Sequence, residues 1–117
     1  MPLPESLSLA ALRALEKNPD LTQRQLAREL GVSLGRTNYC VQALVSKGWV
    51  KAGNFRRSDN KRAYLYKLTP AGLTEKARLA TRFLRAKEQE YSELVNEIEQ
   101  LRAEVAASKG FGDGGIE

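Results

Sequence analysis

Residues 22–48 read TQRQLARELGVSLGRTNYCVQALVSKG, and this stretch decides the fold. Thr22 is followed three residues later by Gln25, the capping-box spacing in which a hydroxyl and an amide satisfy two N–H groups left over at a helix start. Leu26, Ala27 and Leu30 then fall on one face, and Gly31 supplies the left-handed residue that ends a helix. Two residues on, Ser33 is again a capping residue, and a second helix is expected from it to Lys47, with Gly48 as its stop. Two helices joined by a turn of about three to four residues containing glycine make a helix-turn-helix. Helical hairpins that never touch nucleic acid share this spacing, so the flanking sequence has to decide between them.

Upstream, Leu7, Leu9, Ala10, Ala11, Ala14 and Leu15 predict a helix that ends near Asn18-Pro19, where proline lacks an N–H and biases the residue before it. Downstream the period changes. Trp49–Ala52 and Ala63–Leu68 are rich in β-favouring residues. Between them Gly53–Arg62 is polar, turn-prone and basic, and is expected to form the loop of a hairpin. An isolated hairpin is marginal in water, so it must lean on the helices. The expected architecture is mainly α: a winged helix-turn-helix of three helices and a two-stranded wing. Thr69-Pro70 then opens a long C-terminal helix, with threonine as cap and proline where its missing N–H costs nothing. The expected divisions are 7–70 for the winged domain, 71–107 for the long helix and 108–117 for a disordered glycine-rich tail.

Placed on a helix, residues 33–47 separate into two faces. Thr37, Cys40, Val41 and Leu44 share one and should pack inward. Gly35, Arg36, Asn38, Tyr39, Gln42 and Ser46 occupy the rest. Arginine can fork onto guanine, and Asn or Gln onto adenine, in a major groove, while Gly35 lets backbone approach closely. A merely solvated polar face is the plain alternative. Thr22, Gln23 and Ser33 at the two helix starts join Gly35, Arg36, Asn38, Tyr39 and Gln42 as candidate DNA contacts, together with Arg56, Arg57, Asn60, Lys61 and Arg62 of the wing. Wing cations suit phosphate or the minor groove better than base edges. Tyr64 and Tyr66 alternate to one side of a strand, which suits packing better than base stacking.

Composition narrows the function class. The 117 residues contain no histidine and one cysteine, so the commonest general base and any spaced zinc cluster are missing. No enzyme activity, metal or cofactor is expected. Cys40 is read as a small buried hydrophobe, and a cytoplasmic protein without a membrane span is the default. The net charge of +5 is unevenly spread: residues 33–67 hold eight Lys/Arg against Asp59, whereas 88–104 hold six glutamates against Arg102. Two solvated faces would explain this; so would a different partner for each block, the basic one being nucleic acid.

Thr22–Leu30, the 33–47 helix, Gly48-Trp49-Val50 and above all Leu68-Thr69-Pro70-Ala71-Gly72 resemble the MarR family of winged-helix regulators over about residues 7–80. Asn60–Pro70 and Ser33–Cys40 resemble more closely a compact subgroup associated with exopolysaccharide gene clusters. The resemblance implies bacterial transcriptional regulation by a homodimer on pseudo-palindromic duplex DNA. It also implies that the 33–47 helix enters the major groove and that Arg62 approaches the minor groove. Asn60 stands where the family has an acid, and the family's N-terminal dimerisation segment has no counterpart in the six residues before Leu7.

The long helix offers another way to pair. With Leu84 at heptad position a, the a set is Ala77, Leu84, Tyr91, Ile98 and Val105, and the d set is Ala80, Lys87, Leu94 and Leu101. The expected dimerisation residues are Leu84, Tyr91, Leu94, Ile98, Leu101 and Val105, in a coiled coil faulted at Lys87. Glu90, Glu97 and Glu104 at g disfavour antiparallel pairing, while a parallel pair sets Glu97 beside Arg102 of the other copy. Folding back on its own domain is the alternative for this helix, and a protein-interaction module is the alternative for the whole chain.

Overall fold

The computed structural model describes residues 3–56 and 62–111, with side chains described for 3–53 and 66–109. The element order is α1 (Glu5–Lys17), α2 (Gln23–Leu30), α3 (Leu34–Ser46), β1 (Val50–Arg56), β2 (Arg62–Leu68) and α4 (Pro70–Phe111). This is a mainly helical winged helix-turn-helix followed by a long C-terminal helix.

Local chemistry sets the boundaries. Asn18 is extended at φ −147°, as a residue before proline must be, and its Oδ1 accepts from the Asp20 N–H at 3.1 Å, so α1 cannot continue. At Thr22 the capping box is complete: Oγ1 accepts from Gln25 N at 3.1 Å, and Thr22 N donates to Gln25 Oε1 at 2.9 Å. With an eight-residue helix to hold, both ends matter, and Gly31 closes the other at φ 69° with its N–H on the Ala27 carbonyl. Ser33 Oγ accepts from Arg36 N at 3.0 Å and starts α3.

The chain divides into two compact units, residues 1–80 and 81–117. In the first, α1 packs on α2, α3 and β2 around Leu12, Leu15, Leu26, Val41, Leu44, Val50 and Leu79, each 2% exposed or less. Leu79 is the reason this unit continues past the expected division at residue 70: the first turns of α4 belong to its core. Lys76 pairs with Glu16 of α1, and Arg78, held bidentately by Glu75, lies 3.6 Å from Glu5. In the second unit α4 is exposed almost throughout and extends to Phe111, four residues beyond the expected end, with Lys109 complementing the negative end of the helix dipole.

The wing differs from expectation in extent. Strand pairing runs antiparallel from Val50↔Leu68 through Ala52↔Tyr66 to Arg56↔Arg62, so Gly53–Arg56 is strand rather than loop. Pairing a ribbon uses backbone groups alone, and beyond the core the side chains need not alternate in polarity. Residues 57–61 lie outside the described set, and with them Arg57, Asn60 and Lys61. The expected tail falls outside it from residue 112.

Candidate nucleic-acid interface

Thr37, Cys40, Val41 and Leu44 are each fully buried, the four positions on the inward face of α3. Burial pushes the Cys40 thiol above its ordinary pKa, against the opposing pull of the Arg36 charge, so it persists as a neutral thiol. Thr37 Oγ1 donates to the Ser33 carbonyl at 2.9 Å, so the one polar member of this face is satisfied within its own helix. That packing orients the opposite face: Asn38, Tyr39, Gln42 and Ser46 are exposed and Arg36 is half-buried. A β-carbon on Gly35 would meet nothing within 4 Å, so this position is open to an external surface.

Not every candidate contact residue is equally disposable for binding. The hydroxyls of Thr22 and Ser33 are committed to caps. Gln23, the first residue of α2, is tied across the motif: its Nε2 donates to Asn38 Oδ1 at 3.2 Å and to the Tyr66 hydroxyl at 3.1 Å. Tyr66 is 7% exposed, in agreement with a packing role. Sequence reasoning missed this link, because nothing local marks residues 15 and 43 positions apart as partners.

The ribbon's register places Lys51 opposite Lys67, both exposed, and Arg56 opposite Arg62. Basic residues thus stand on both strands of the ribbon, a distribution that favours an anionic partner. The base of the wing is anchored by Thr69. Its hydroxyl donates to the Gly48 carbonyl at 2.6 Å and accepts from Gly72 N at 3.0 Å, and its own N–H donates to the Trp49 carbonyl at 3.0 Å. Gly48 itself is left-handed at φ 78°, and Lys47 Nζ lies 4.9 Å from the centroid of the Trp49 ring.

The six expected pairing residues are all exposed in the second unit, from 41% at Ile98 to 69% at Tyr91. Lys87, the fault in the seam, reaches Glu90 at 3.4 Å. Among the described residues no cluster of His, Cys, Asp or Glu could hold a metal, and no helix is long and apolar enough to cross a membrane.

Residues 5–51 match the family model described as winged helix-turn-helix DNA-binding. Solved structures agree on the fold. The PcaV transcriptional regulator from Streptomyces coelicolor is 25% identical, with 90% of this chain and 79% of that one covered at a TM-score of 0.61. The multiple antibiotic resistance repressor MarR is 26% identical over 74% of this chain and 61% of its own, at 0.60. Streptococcus pneumoniae FabT, solved in complex with DNA, is 24% identical over 92% and 74%, at 0.53. No curated protein sequence matches the chain.

Proposed function

We propose that this chain is a sequence-specific, duplex-DNA-binding transcriptional regulator that acts as a homodimer and has no enzymatic activity. The observation that carries the reading is α3. Its inward face is fully buried, so its polar face is held outward as a rigid surface of amide, phenol and guanidinium groups, and the basic wing begins at the next element of the chain. The winged helix-turn-helix match and the similarity to MarR and PcaV support the same reading, and the fold shared with FabT, which was solved on DNA, agrees with it. Arg36, Asn38, Tyr39 and Gln42, with Gly35 permitting approach, read base edges. Arg56, Arg57, Asn60, Lys61 and Arg62 engage backbone or minor groove, and Thr22, Gln23 and Ser33 adjoin the phosphates at the two helix starts.

Homodimerisation is proposed through the exposed apolar seam Leu84, Tyr91, Leu94, Ile98, Leu101 and Val105. A second copy is the occupant whose chemistry fits. The seam has heptad spacing with β-branched residues at a, and a parallel pair sets Glu97 of one copy beside Arg102 of the other. Parallel helices also leave both reading heads at one end, as adjacent half-sites require. In this proposal the winged unit, with the first turns of α4 in its core, carries recognition and the rest of the long helix carries pairing, in a cytoplasmic protein. The resemblance of Asn60–Pro70 and Ser33–Cys40 to regulators associated with exopolysaccharide clusters makes such genes the first targets to test.

Fluorescence anisotropy with a random-sequence duplex at two salt concentrations tests the proposal. Binding that weakens steeply with salt is expected. Absent or salt-insensitive binding would favour the other reading of the exposed seam, a winged helix used as a protein-interaction module.

A further inference from the structure

Gln23 occupies an unusual position: one primary amide, on the first residue of α2, bridges the reading helix and the wing strand. An amide nitrogen carries two hydrogens, and here each has an acceptor, Asn38 Oδ1 on one side and the Tyr66 phenol oxygen on the other. Tyr66 is buried and its ring is fixed by packing, so it anchors the amide plane of Gln23, and Gln23 in turn anchors that of Asn38. Asn38 is exposed. Its carbonyl is the end engaged within the protein, which leaves its –NH2 as the end offered outward.

From this geometry we infer that Gln23 and Tyr66 are positioning residues that present Asn38 as a hydrogen-bond donor, so that Asn38 reads a major-groove acceptor, guanine O6/N7 or thymine O4, rather than clasping adenine. The adenine clasp needs the asparagine carbonyl to accept from N6 while the amine donates to N7. In this arrangement the carbonyl is already held by Gln23 and turned toward α2. The inference rests on the DNA-binding reading and adds to it the polarity of one contact and the two residues that set it.

The polarity is testable because it can be inverted. Gln23→Glu replaces the donating amide by a carboxylate, which only accepts. The relay then runs backwards: Tyr66 and the Asn38 amine donate to residue 23, and Asn38 turns its carbonyl outward. The full-length wild type and the variants Asn38→Ala, Gln23→Ala, Gln23→Glu and Tyr66→Phe are each used to select duplexes from a randomised library. Relative base preference is read at each position, beside the salt slope of binding and the thermal midpoint of each protein.

Asn38→Ala should flatten the preference at one base pair by about 2- to 10-fold, the range of a single net hydrogen bond. Gln23→Ala should flatten that same position, with the salt slope unchanged. Tyr66→Phe, which keeps the ring and loses only the hydroxyl, should weaken it less. Gln23→Glu should move the preference toward a base that donates, cytosine or adenine, whatever the added charge does to overall affinity. A merely structural role for Gln23 would lower the midpoint and leave the selected motif alone. If the wild type selects a motif that Gln23→Ala and Gln23→Glu leave unchanged, the inference is overturned while DNA binding stands. If the wild type binds no duplex, the functional reading fails, and the inference goes with it.

Discussion

Gly72, in the first turn of α4, lies so close to Trp49 that a β-carbon there would sit 2.0 Å from the Trp49 carbonyl oxygen and 2.9 Å from its carbon. This close approach supplies the physical reason for Leu68-Thr69-Pro70-Ala71-Gly72. Thr69 ties the strand end to the Gly48–Trp49 corner, Pro70 begins a helix without wasting an N–H, and Gly72 lets that helix pass the corner at backbone distance.

Gly72→Ala therefore separates propensity from packing. In a free helix alanine would stabilise by about 1 kcal/mol over glycine. Here the obstruction is backbone, which cannot rotate away, and overpacking of this kind costs about 1–3 kcal/mol. Urea unfolding followed by far-UV circular dichroism should show a net loss; a gain would mean the corner yields freely.

Thr69→Val keeps the shape and removes a hydroxyl that both donates to Gly48 O and accepts from Gly72 N. A loss of about 1–2 kcal/mol is expected in the same assay, with Thr69→Ser recovering most of it. A loss in Thr69→Ser with none in Thr69→Val would show that the methyl, not the hydroxyl, holds the joint.

Cys40 is fully buried and its pKa is raised by desolvation. A thiol whose folded pKa lies above its unfolded value contributes stability that is full below the unfolded value and is lost as pH climbs from there through the folded value. Unfolding free energy should therefore decline above about pH 8.5 more steeply in the wild type than in Cys40→Ala. Thiol-reactive reagent should label the native protein only at the rate of its opening. Fast labelling of the folded state would contradict both expectations.

Arg57→Ala with Arg62→Ala should weaken binding to every duplex and reduce the slope of log K against log salt by about 1 for each phosphate no longer neutralised. An unchanged slope would remove the wing from the interface. Leu94→Lys with Leu101→Lys puts charge on two d positions of the seam and should give a monomer in sedimentation velocity. A persistent dimer would place the pairing surface elsewhere.

Much of the recognition unit could be read from local chemistry. The Thr22–Gln25 box, the Gly31 and Gly48 stops and the Ser33 cap act within a few residues, and the inward set Thr37, Cys40, Val41 and Leu44 follows from one helical period. What escaped was non-local or insensitive to side chains. Gly53–Arg56 looks like a turn because it is polar, yet it pairs as strand through backbone groups that composition does not reveal. The depth of the first unit into α4 depends on Leu79 finding a core, and the Gln23–Tyr66 bond depends on where the wing comes to rest. Base contacts and pairing are intermolecular, so their residues can be nominated by chemistry but are tested only by a second molecule.

The division of α3 into a sealed face and an open one also bears on how such a protein can change over time. Val41 and Leu44 are bound to the fold and drift little without loss of stability, whereas Gln42 and Ser46 are exposed and stand outside the core. Selection can exchange these side chains with no refolding penalty. After a duplication, one copy of this scaffold could acquire a new target in a few substitutions while its architecture stayed as it was. Asn38 is the exception: tethered to Gln23, it can be retuned only together with a residue on another helix.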